Sequence, residues 1–255
     1  MHSHSKEPYS VQYDDLEILC LGPPLEASHA IVPTVFYFSL RAEDSLLVDP
    51  YNQPAVELLK DPKVRVVAVT LPYHGEMHPE EALKRWVKEI EHGSDPLTPF
   101  IQKTVAFLNH LKEQKYICED HVALMGLSRG GWVACQVGAQ TKVKVITGFA
   151  PLTRFSKSTH FAPIKEHSNQ FDLDLIVHKL VGTSLHFWIS NRDTRVGTRD
   201  CFEFIENLVE KSWDTGIRSP QVQLQIVPPI GTQGHGTSKE SFIVGAQWTL
   251  KQINP

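Results

Sequence analysis

One short segment, Gly-Leu-Ser-Arg-Gly-Gly at residues 126–131, constrains the fold more than any other part of the chain. A strand-like run at 121–125 precedes it, and a helix-like run follows it. A turn from a strand directly into a helix is so tight that side chains two residues either side of its centre would collide. Gly126 and Gly130 occupy these two places around Ser128. The pattern predicts a serine exposed at the end of a strand, although a serine that caps an ordinary helix would fit the same spacing.

Strand-like and helix-like segments alternate along most of the chain. Residues 34–40 are rich in β-branched and aromatic side chains and residues 64–71 are a continuous apolar run, so both predict buried strands. Residues 79–92 begin with Pro-Glu-Glu and repeat apolar side chains at spacings of three and four, which predicts a helix. A single N-terminal strand is predicted at 11–21 and a terminal packing helix at 238–253. The alternation predicts a doubly wound, mostly parallel sheet with helices on both faces.

Two further polar residues follow strand-like runs in the second half of the chain. Asp193 lies in a polar loop after an apolar run that begins at Leu185. His235 lies between two glycines after an alternating apolar and polar run that begins at Val222. In an open α/β sheet, functional loops lie at the carboxyl ends of the strands. We therefore expect both residues to lie at the same edge of the sheet as Ser128.

The chain order of serine, aspartate and histidine, together with the glycine-flanked serine, resembles that of the α/β-hydrolase superfamily. The resemblance extends from about Thr34 onward and is to the esterase-like and prolyl-oligopeptidase-like branches. It implies one α/β-hydrolase domain over residues 1–255. It also implies that Ser128 is a nucleophile, that His235 is its general base, and that Asp193 orients the histidine.

Other assignments of the acid and the base are compatible with the sequence. Asp193 could be an ordinary turn aspartate and His235 a solvated loop histidine. Asp172 and Asp174 are alternative acids, but they lie within residues 151–181, a segment predicted to form a cap. Asp200 follows the strand one helical turn too late. The order and placement of the three residues favour Ser128, Asp193 and His235.

The negative oxygen of a tetrahedral intermediate needs two hydrogen-bond donors. The resemblance assigns one to the backbone N–H of Arg129, which follows the nucleophile. The second donor in the superfamily comes from a loop after an early strand, often marked by glycine, but residues 39–43 contain no glycine. We predict the backbone N–H of Leu40, with a hydroxyl of Tyr37 or Tyr73 as the alternative. The Arg129 side chain could contact the substrate or the cap, or pair with a nearby acid.

The segment Leu-Pro-Tyr-His-Gly-Glu at residues 71–76 is similar to one that many monoacyl-lipid hydrolases and aminopeptidase-like relatives carry after this strand. The histidine there is usually structural and lies at the rim of the pocket. Because this position is at the rim, we predict Tyr73 and His74 as substrate-binding residues. His74 and His78 are four residues apart, but a zinc-protease helix needs glutamate after the first histidine, where this chain has Gly75.

Residues 151–181 do not follow the alternation. The segment contains three phenylalanines and three histidines among mixed charges. In the superfamily this position usually carries an insertion over the active site. We predict a small helical cap that shapes the substrate pocket, with Phe155 as a substrate-binding residue. An ordinary crossover helix with a loop fits the segment equally well.

The composition is that of an ordinary soluble globular protein, with 41% hydrophobic and 21% charged residues in a chain of 255. A net charge of −4, with basic residues scattered among acids, gives no indication of a nucleic-acid or anionic membrane surface. No apolar stretch is long enough to span a bilayer, and the N-terminus lacks the apolar core of a signal peptide. Residues 1–10 are predicted to be a solvated tail in which His2 and His4 bind metal only adventitiously. Four widely spaced cysteines predict free thiols and, with the rest, a cytoplasmic protein.

The sequence therefore predicts a serine hydrolase without a cofactor that cleaves a carboxylic ester of modest size through an acyl-enzyme. Nothing in the sequence suggests a nucleotide, metal or flavin requirement. A serine peptidase of the prolyl-oligopeptidase type, acting on short peptides, is the first alternative. Thioester hydrolysis or acyl transfer would use the same residues. A hydrolase fold without activity that serves as a binding protein is the last alternative, because the glycine of the second oxyanion donor is missing.

Overall fold

The computed structural model describes residues 7–26 and 32–254, and within them eight strands form one sheet. The strands are β1 (Tyr9–Tyr13), β2 (Leu16–Leu21), β3 (Thr34–Phe38), β4 (Arg65–Val69), β5 (Val122–Leu127), β6 (Val145–Phe149), β7 (Ser184–Ser190) and β8 (Val222–Val227). Their order across the sheet is β1-β2-β4-β3-β5-β6-β7-β8. The pairings β1–β2 and β2–β4 are antiparallel and the other five are parallel. The predicted doubly wound, mostly parallel sheet is confirmed.

Helices cover both faces of the sheet. They are α1 (Ala42–Leu47), α2 (Gln53–Leu58), α3 (Pro79–Glu91), α4 (Leu97–Glu113), α5 (Arg129–Thr141), α6 (Lys165–Ser168), α7 (Thr198–Asp214) and α8 (Lys239–Ile253). Buried side chains of α3, α4, α5 and α7 belong to the core on one face. Those of α1, α2 and α8 belong to the core on the other. The helices predicted at 79–92 and 238–253 correspond to α3 and α8.

Burial follows the position of each strand in the sheet. Every residue of β3, β4 and β6 is buried, as expected for inner parallel strands covered on both faces. At one edge of the sheet, β8 has no fully buried residue. At the other edge, the single strand predicted at 11–21 is wrong, because β1 and β2 form a hairpin. Asp14 adopts a φ of 52° in its two-residue turn, which reverses the chain within the alternating run.

The same hairpin corrects the predicted tail at 1–10, since Tyr9 and Ser10 already belong to β1. His2 and His4 lie outside the described residues. Cys20, Cys135 and Cys201 are buried, Cys118 is half-buried, and all four are free thiols. In residues 7–26 and 32–254, no helix has both the length and the apolar character needed to cross a bilayer.

The segment 151–181 consists of short 3₁₀ turns and the single-turn helix α6. It packs against α5 and α7, and its buried apolar residues belong to the same core as those of the two helices. The ring of Phe155 lies 5.1 Å from that of Trp132 in α5, and 4.6 Å from that of Phe161. The indole N–H of Trp132 donates a hydrogen bond of 2.6 Å to the carbonyl of Phe171. The aromatic residues of the segment therefore face the core.

Candidate active site

Ser128 stands between β5 and α5 in a backbone conformation that side chains rarely adopt, with φ 55° and ψ −118°. A Cβ atom at Gly126 would lie 2.1 Å from the carbonyl oxygen of Gly130. A Cβ atom at Gly130 would lie 1.9 Å from the carbonyl oxygen of Phe38. Both distances are far below contact, so the turn requires glycine at these positions. The geometry is that of the strained elbow that the sequence predicts.

The structure brings the three predicted residues into one hydrogen-bonded chain. His235 Nε2 lies 2.8 Å from Ser128 Oγ, and His235 Nδ1 lies 2.7 Å from Asp193 Oδ2. The other carboxylate oxygen of Asp193 accepts hydrogen bonds from the backbone N–H groups of Arg195 and Val196, at 2.9 and 3.0 Å. The Asp193 carboxylate is fully buried. Its orientation is therefore fixed by three donors.

The loops that carry Asp193 and His235 are tied to each other. The hydroxyl of Ser190 donates a hydrogen bond of 2.6 Å to the carbonyl of Gly234, and the N–H of Thr194 donates one of 2.9 Å to the carbonyl of Gln233. Gly234 has a φ of 71°, and a Cβ atom there would lie 2.2 Å from the carbonyl oxygen of Arg192. Glycine thus permits the close approach that holds the carboxylate and the imidazole at hydrogen-bond distance.

The three alternative acids are engaged elsewhere. Asp172 accepts hydrogen bonds from the backbone and the hydroxyl of Ser156, at 3.0 and 2.5 Å. Asp174 and Asp200 form ion pairs with Arg154, at 2.6 and 3.5 Å. Within the described residues, none of these three carboxylates makes a hydrogen bond to the histidine.

A cleft of about 400 Å³ opens beside the serine. Its wall combines parts of the chain that are far apart in sequence, with Ser39, Tyr51, Glu80, Arg195, Ile230 and Phe242 among the lining residues. The sequence prediction missed Tyr51, Glu80 and Arg195. Arg195 could have been found, because it follows the predicted acid by two residues in the same loop. Nothing local marks Tyr51 or Glu80, since only tertiary packing brings them to the cleft.

The two predicted backbone donors both line the cleft. Arg129 is the first residue of α5, where backbone N–H groups have no partner within the helix. Leu40 follows β3, and its N–H lies 3.4 Å from the hydroxyl oxygen of Ser45. That distance is beyond the usual range for a hydrogen bond, so the Leu40 N–H has only a weak acceptor within the described residues.

Several residues predicted to contact the oxyanion or the substrate lie outside the cleft. The Tyr37 hydroxyl is buried and donates a hydrogen bond of 2.9 Å to the carbonyl of Tyr51, so the prediction for Tyr37 is wrong. Tyr73 lines a separate groove beside the β1–β2 hairpin. Phe155 is fully buried in the aromatic cluster described above, because its ring packs inward against Trp132. The geometry gives Tyr73 and Phe155 no contact with the cleft.

His74 and His78 have structural partners. Burial, and next the charge of Arg129, lower the pKa of His74 to about 4, so it is neutral at pH 7. Its Nδ1 lies 2.9 Å from the carbonyl of Pro72, and its ring packs edge-on against Trp86. His78 precedes α3, and its Nδ1 accepts a weak hydrogen bond from the N–H of Glu80. In the part of the chain that the structure describes, no three His, Cys, Asp or Glu side chains are grouped to hold a metal ion.

No protein-family model and no curated protein matches the sequence. Several solved structures are similar to this chain in fold. A Thermus thermophilus protein is 13% identical, with a TM-score of 0.67 and 98% of each chain covered. A Pyrococcus furiosus esterase is 17% identical, with a TM-score of 0.64 over 99% of this chain and 93% of its own. A Mycobacterium tuberculosis puromycin-hydrolyzing peptidase is 14% identical, with a TM-score of 0.66 over 95% of this chain but 39% of its own. The chain therefore has the α/β-hydrolase fold, as the resemblance predicts.

Proposed function

We propose that the protein is a serine hydrolase that cleaves a carboxylic ester through an acyl-enzyme. One observation carries the proposal. Asp193, His235 and Ser128 form a continuous hydrogen-bonded chain, with steps of 2.7 and 2.8 Å, that ends at the cleft. A serine hydroxyl is a poor nucleophile unless a base removes its proton during attack, and this contact provides the base.

In the first half of the reaction, Ser128 Oγ attacks the ester carbonyl carbon while His235 Nε2 takes the hydroxyl proton. The carbonyl oxygen becomes an oxyanion, which the N–H groups of Arg129 and Leu40 stabilise. The bond to the alcohol oxygen then breaks, and Nε2 gives its proton to that oxygen. Asp193 holds the imidazole in the required tautomer and stabilises its positive charge throughout.

In the second half, water replaces the alcohol. His235 Nε2 takes a proton from the water as its oxygen attacks the acyl-enzyme carbonyl. The second tetrahedral intermediate collapses when the bond to Ser128 Oγ breaks, and the proton on Nε2 returns to the serine. The products are the carboxylic acid and the alcohol, and the enzyme regains its initial state.

The choice of an ester rests on the size of the cleft and on the similar structures. A cleft of about 400 Å³ suits a small molecule rather than a folded partner. The similar structures matched along almost their whole length include esterases, whereas the peptidase is matched along a minor part of its length. A short peptide is the alternative substrate.

The test is hydrolysis of 4-nitrophenyl butyrate, with the matched 4-nitroanilide to separate esterase from peptidase activity. We expect Ser128→Ala to lower kcat by at least about a thousandfold, because the nucleophile is lost. Ser219→Ala, which changes an exposed serine, is the control and should match the wild type. Melting temperatures of both variants show that they fold. A Ser128→Ala rate within tenfold of the wild type would overturn the proposal.

A further inference from the structure

Outside the hydrogen-bonded chain of Ser128, His235 and Asp193, the charges that line the cleft do not balance. Three other lining side chains among the described residues carry a charge at neutral pH: Glu80, Arg129 and Arg195. The guanidinium of Arg195 donates a hydrogen bond of 2.8 Å to the carboxylate of Glu80, so this pair is close to neutral. Arg129 contributes the remaining positive charge, one residue from Ser128.

Arg129 is buried with few partners. Only 6% of its surface is exposed. The one hydrogen bond that its guanidinium makes within the described residues is a long one, 3.2 Å from Nη1 to the carbonyl of Pro79. The guanidinium carbon lies 5.9 Å from the centre of the Trp86 ring, at the outer limit of a cation–π contact. A guanidinium has five N–H donors, so most of those on Arg129 have no acceptor in the part of the chain that the structure describes.

The neighbouring charges add to this imbalance. Burial lowers the pKa of Arg129 to about 10, and the nearby Arg195 lowers it more than Glu80 raises it. Arg129 is still charged at pH 7. His160 adds no positive charge at pH 7, because burial lowers its pKa below the usual value and the charge of Arg195 lowers it further. A buried charge is costly unless it is paired, and a binding site is where a ligand provides the partner.

We propose that Arg129, supported by Arg195, binds a carboxylate of the substrate, so that the preferred ester is anionic. The inference rests on the proposed function and specifies its substrate class. Arginine suits this role because its planar fork binds a carboxylate through two parallel hydrogen bonds. One unbalanced positive charge matches the single charge of a carboxylate better than the two charges of a phosphate. The carboxylate belongs to either the acyl group or the leaving group.

Two matched pairs of esters test the proposal and identify the side. For the acyl side, 4-nitrophenyl hydrogen adipate is compared with 4-nitrophenyl hexanoate, which has a methyl group in place of the carboxylate. For the leaving-group side, 5-acetoxy-2-nitrobenzoate is compared with its methyl ester. We expect the wild type to favour the charged ester of one pair by at least about tenfold in kcat/KM.

Variants test whether Arg129 is the residue that causes the preference for the charged ester. Arg129→Met should reduce the ratio of charged to neutral kcat/KM to about one, whereas Arg129→Lys should retain part of it. Glu80→Gln should increase the ratio, because it releases Arg195 from its partner. Arg199→Gln removes an arginine on the exposed surface of α7 and should leave the ratio unchanged. A wild-type ratio near one in both pairs, or a ratio that Arg129→Met does not change, would overturn the proposal.

Binding to the Ser128→Ala variant separates this proposal from the proposed function. The variant should leave both esters intact, so calorimetry measures their affinities without turnover. We expect the charged ester to bind at least about tenfold tighter than the neutral one. Nitrophenol release by this variant would count against the proposed function. Intact esters with equal affinities would count against the carboxylate site alone.

Discussion

Arg65 and Arg129 are both buried arginines, but they lie at opposite ends of the parallel strands and have different surroundings. Arg65 begins β4, and its guanidinium donates hydrogen bonds of 2.7 to 3.0 Å to the carbonyls of Pro23, Pro24 and Tyr116. A longer contact of 3.3 Å reaches the hydroxyl of Thr34. Arg129 begins α5 at the carboxyl end of the strands, and its guanidinium makes a single hydrogen bond, of 3.2 Å, within residues 7–26 and 32–254.

The difference separates a structural arginine from one that is available to a ligand. At the amino end of the parallel strands, three carbonyls accept hydrogen bonds from the guanidinium of Arg65, so few of its donors remain for a ligand. At the carboxyl end, where α/β folds bind their ligands, Arg129 lines the cleft, and most of its guanidinium donors have no acceptor within the described residues. Residues at the carboxyl edge should therefore affect the rate of reaction, and those at the amino edge the stability.

The largest effect is expected at the carboxyl edge, on the rate. Asp193→Asn removes the charge that stabilises the imidazolium and changes the tautomer of His235, so kcat should fall on the order of 10³- to 10⁴-fold. Asp172→Asn is the matched control, because its carboxylate contacts Ser156 instead of the histidine. Steady-state kinetics on the same ester measure both. An unchanged rate in Asp193→Asn, with a fall in Asp172→Asn, would reverse the assignment of the acid.

The next effect is on stability, at the amino edge. Arg65→Met leaves three buried carbonyls without their donor and should lower the free energy of unfolding by about 3–5 kcal/mol. Arg129→Met removes a poorly paired buried charge and should cost about 1 kcal/mol or less. Urea denaturation measures both. Equal losses in the two variants would remove the distinction between the two arginines.

The smallest effect is a pH dependence of stability. The pKa of His74 is about 4 in the folded protein and about 6.5 when unfolded, so the unfolded state binds more protons between these values. Stability is therefore lost as the pH falls from about 6.5 to 4, by up to about 3 kcal/mol for this group. His74→Gln should flatten the curve in this window, and Arg129→Met should flatten it less by removing a like charge.

Urea denaturation at a series of pH values measures this slope. His92→Gln, at an exposed histidine, is the control and should follow the wild type. If the slope between pH 6.5 and 4 is the same in His74→Gln as in the wild type, the buried neutral histidine does not account for it.

The features that the sequence predicts well have local causes. The elbow around Ser128 follows from glycine spacing, and the positions of Asp193 and His235 follow from the ends of two recognisable strands. The alternation of strands and helices likewise follows from the periodicity of apolar side chains. Each of these features can be recognised in a window of about ten residues. Because Ser128, Asp193 and His235 each follow the carboxyl end of a strand, the strand ends alone predict that the three residues lie on the same side of the sheet.

The features that the sequence predicts poorly depend on contacts between distant segments. The hydroxyl of Tyr37 could not be placed, because its acceptor is the carbonyl of Tyr51. The sequence predicts Phe155 as a substrate-binding residue because it lies in an irregular segment, but its ring packs inward against Trp132. The charge imbalance at Arg129 depends on Arg195 and Glu80, which come together only in the folded chain.

The central claim, that Ser128 is an activated nucleophile, is tested most directly by intact-mass measurement after treatment with a fluorophosphonate probe. The wild type should gain the mass of one phosphonyl group, because His235 activates the serine and the oxyanion site accepts the phosphoryl oxygen. Ser128→Ala should gain none, and Ser219→Ala should be labelled like the wild type. A folded wild type that is not labelled, or a Ser128→Ala variant labelled to the same extent, would contradict the claim.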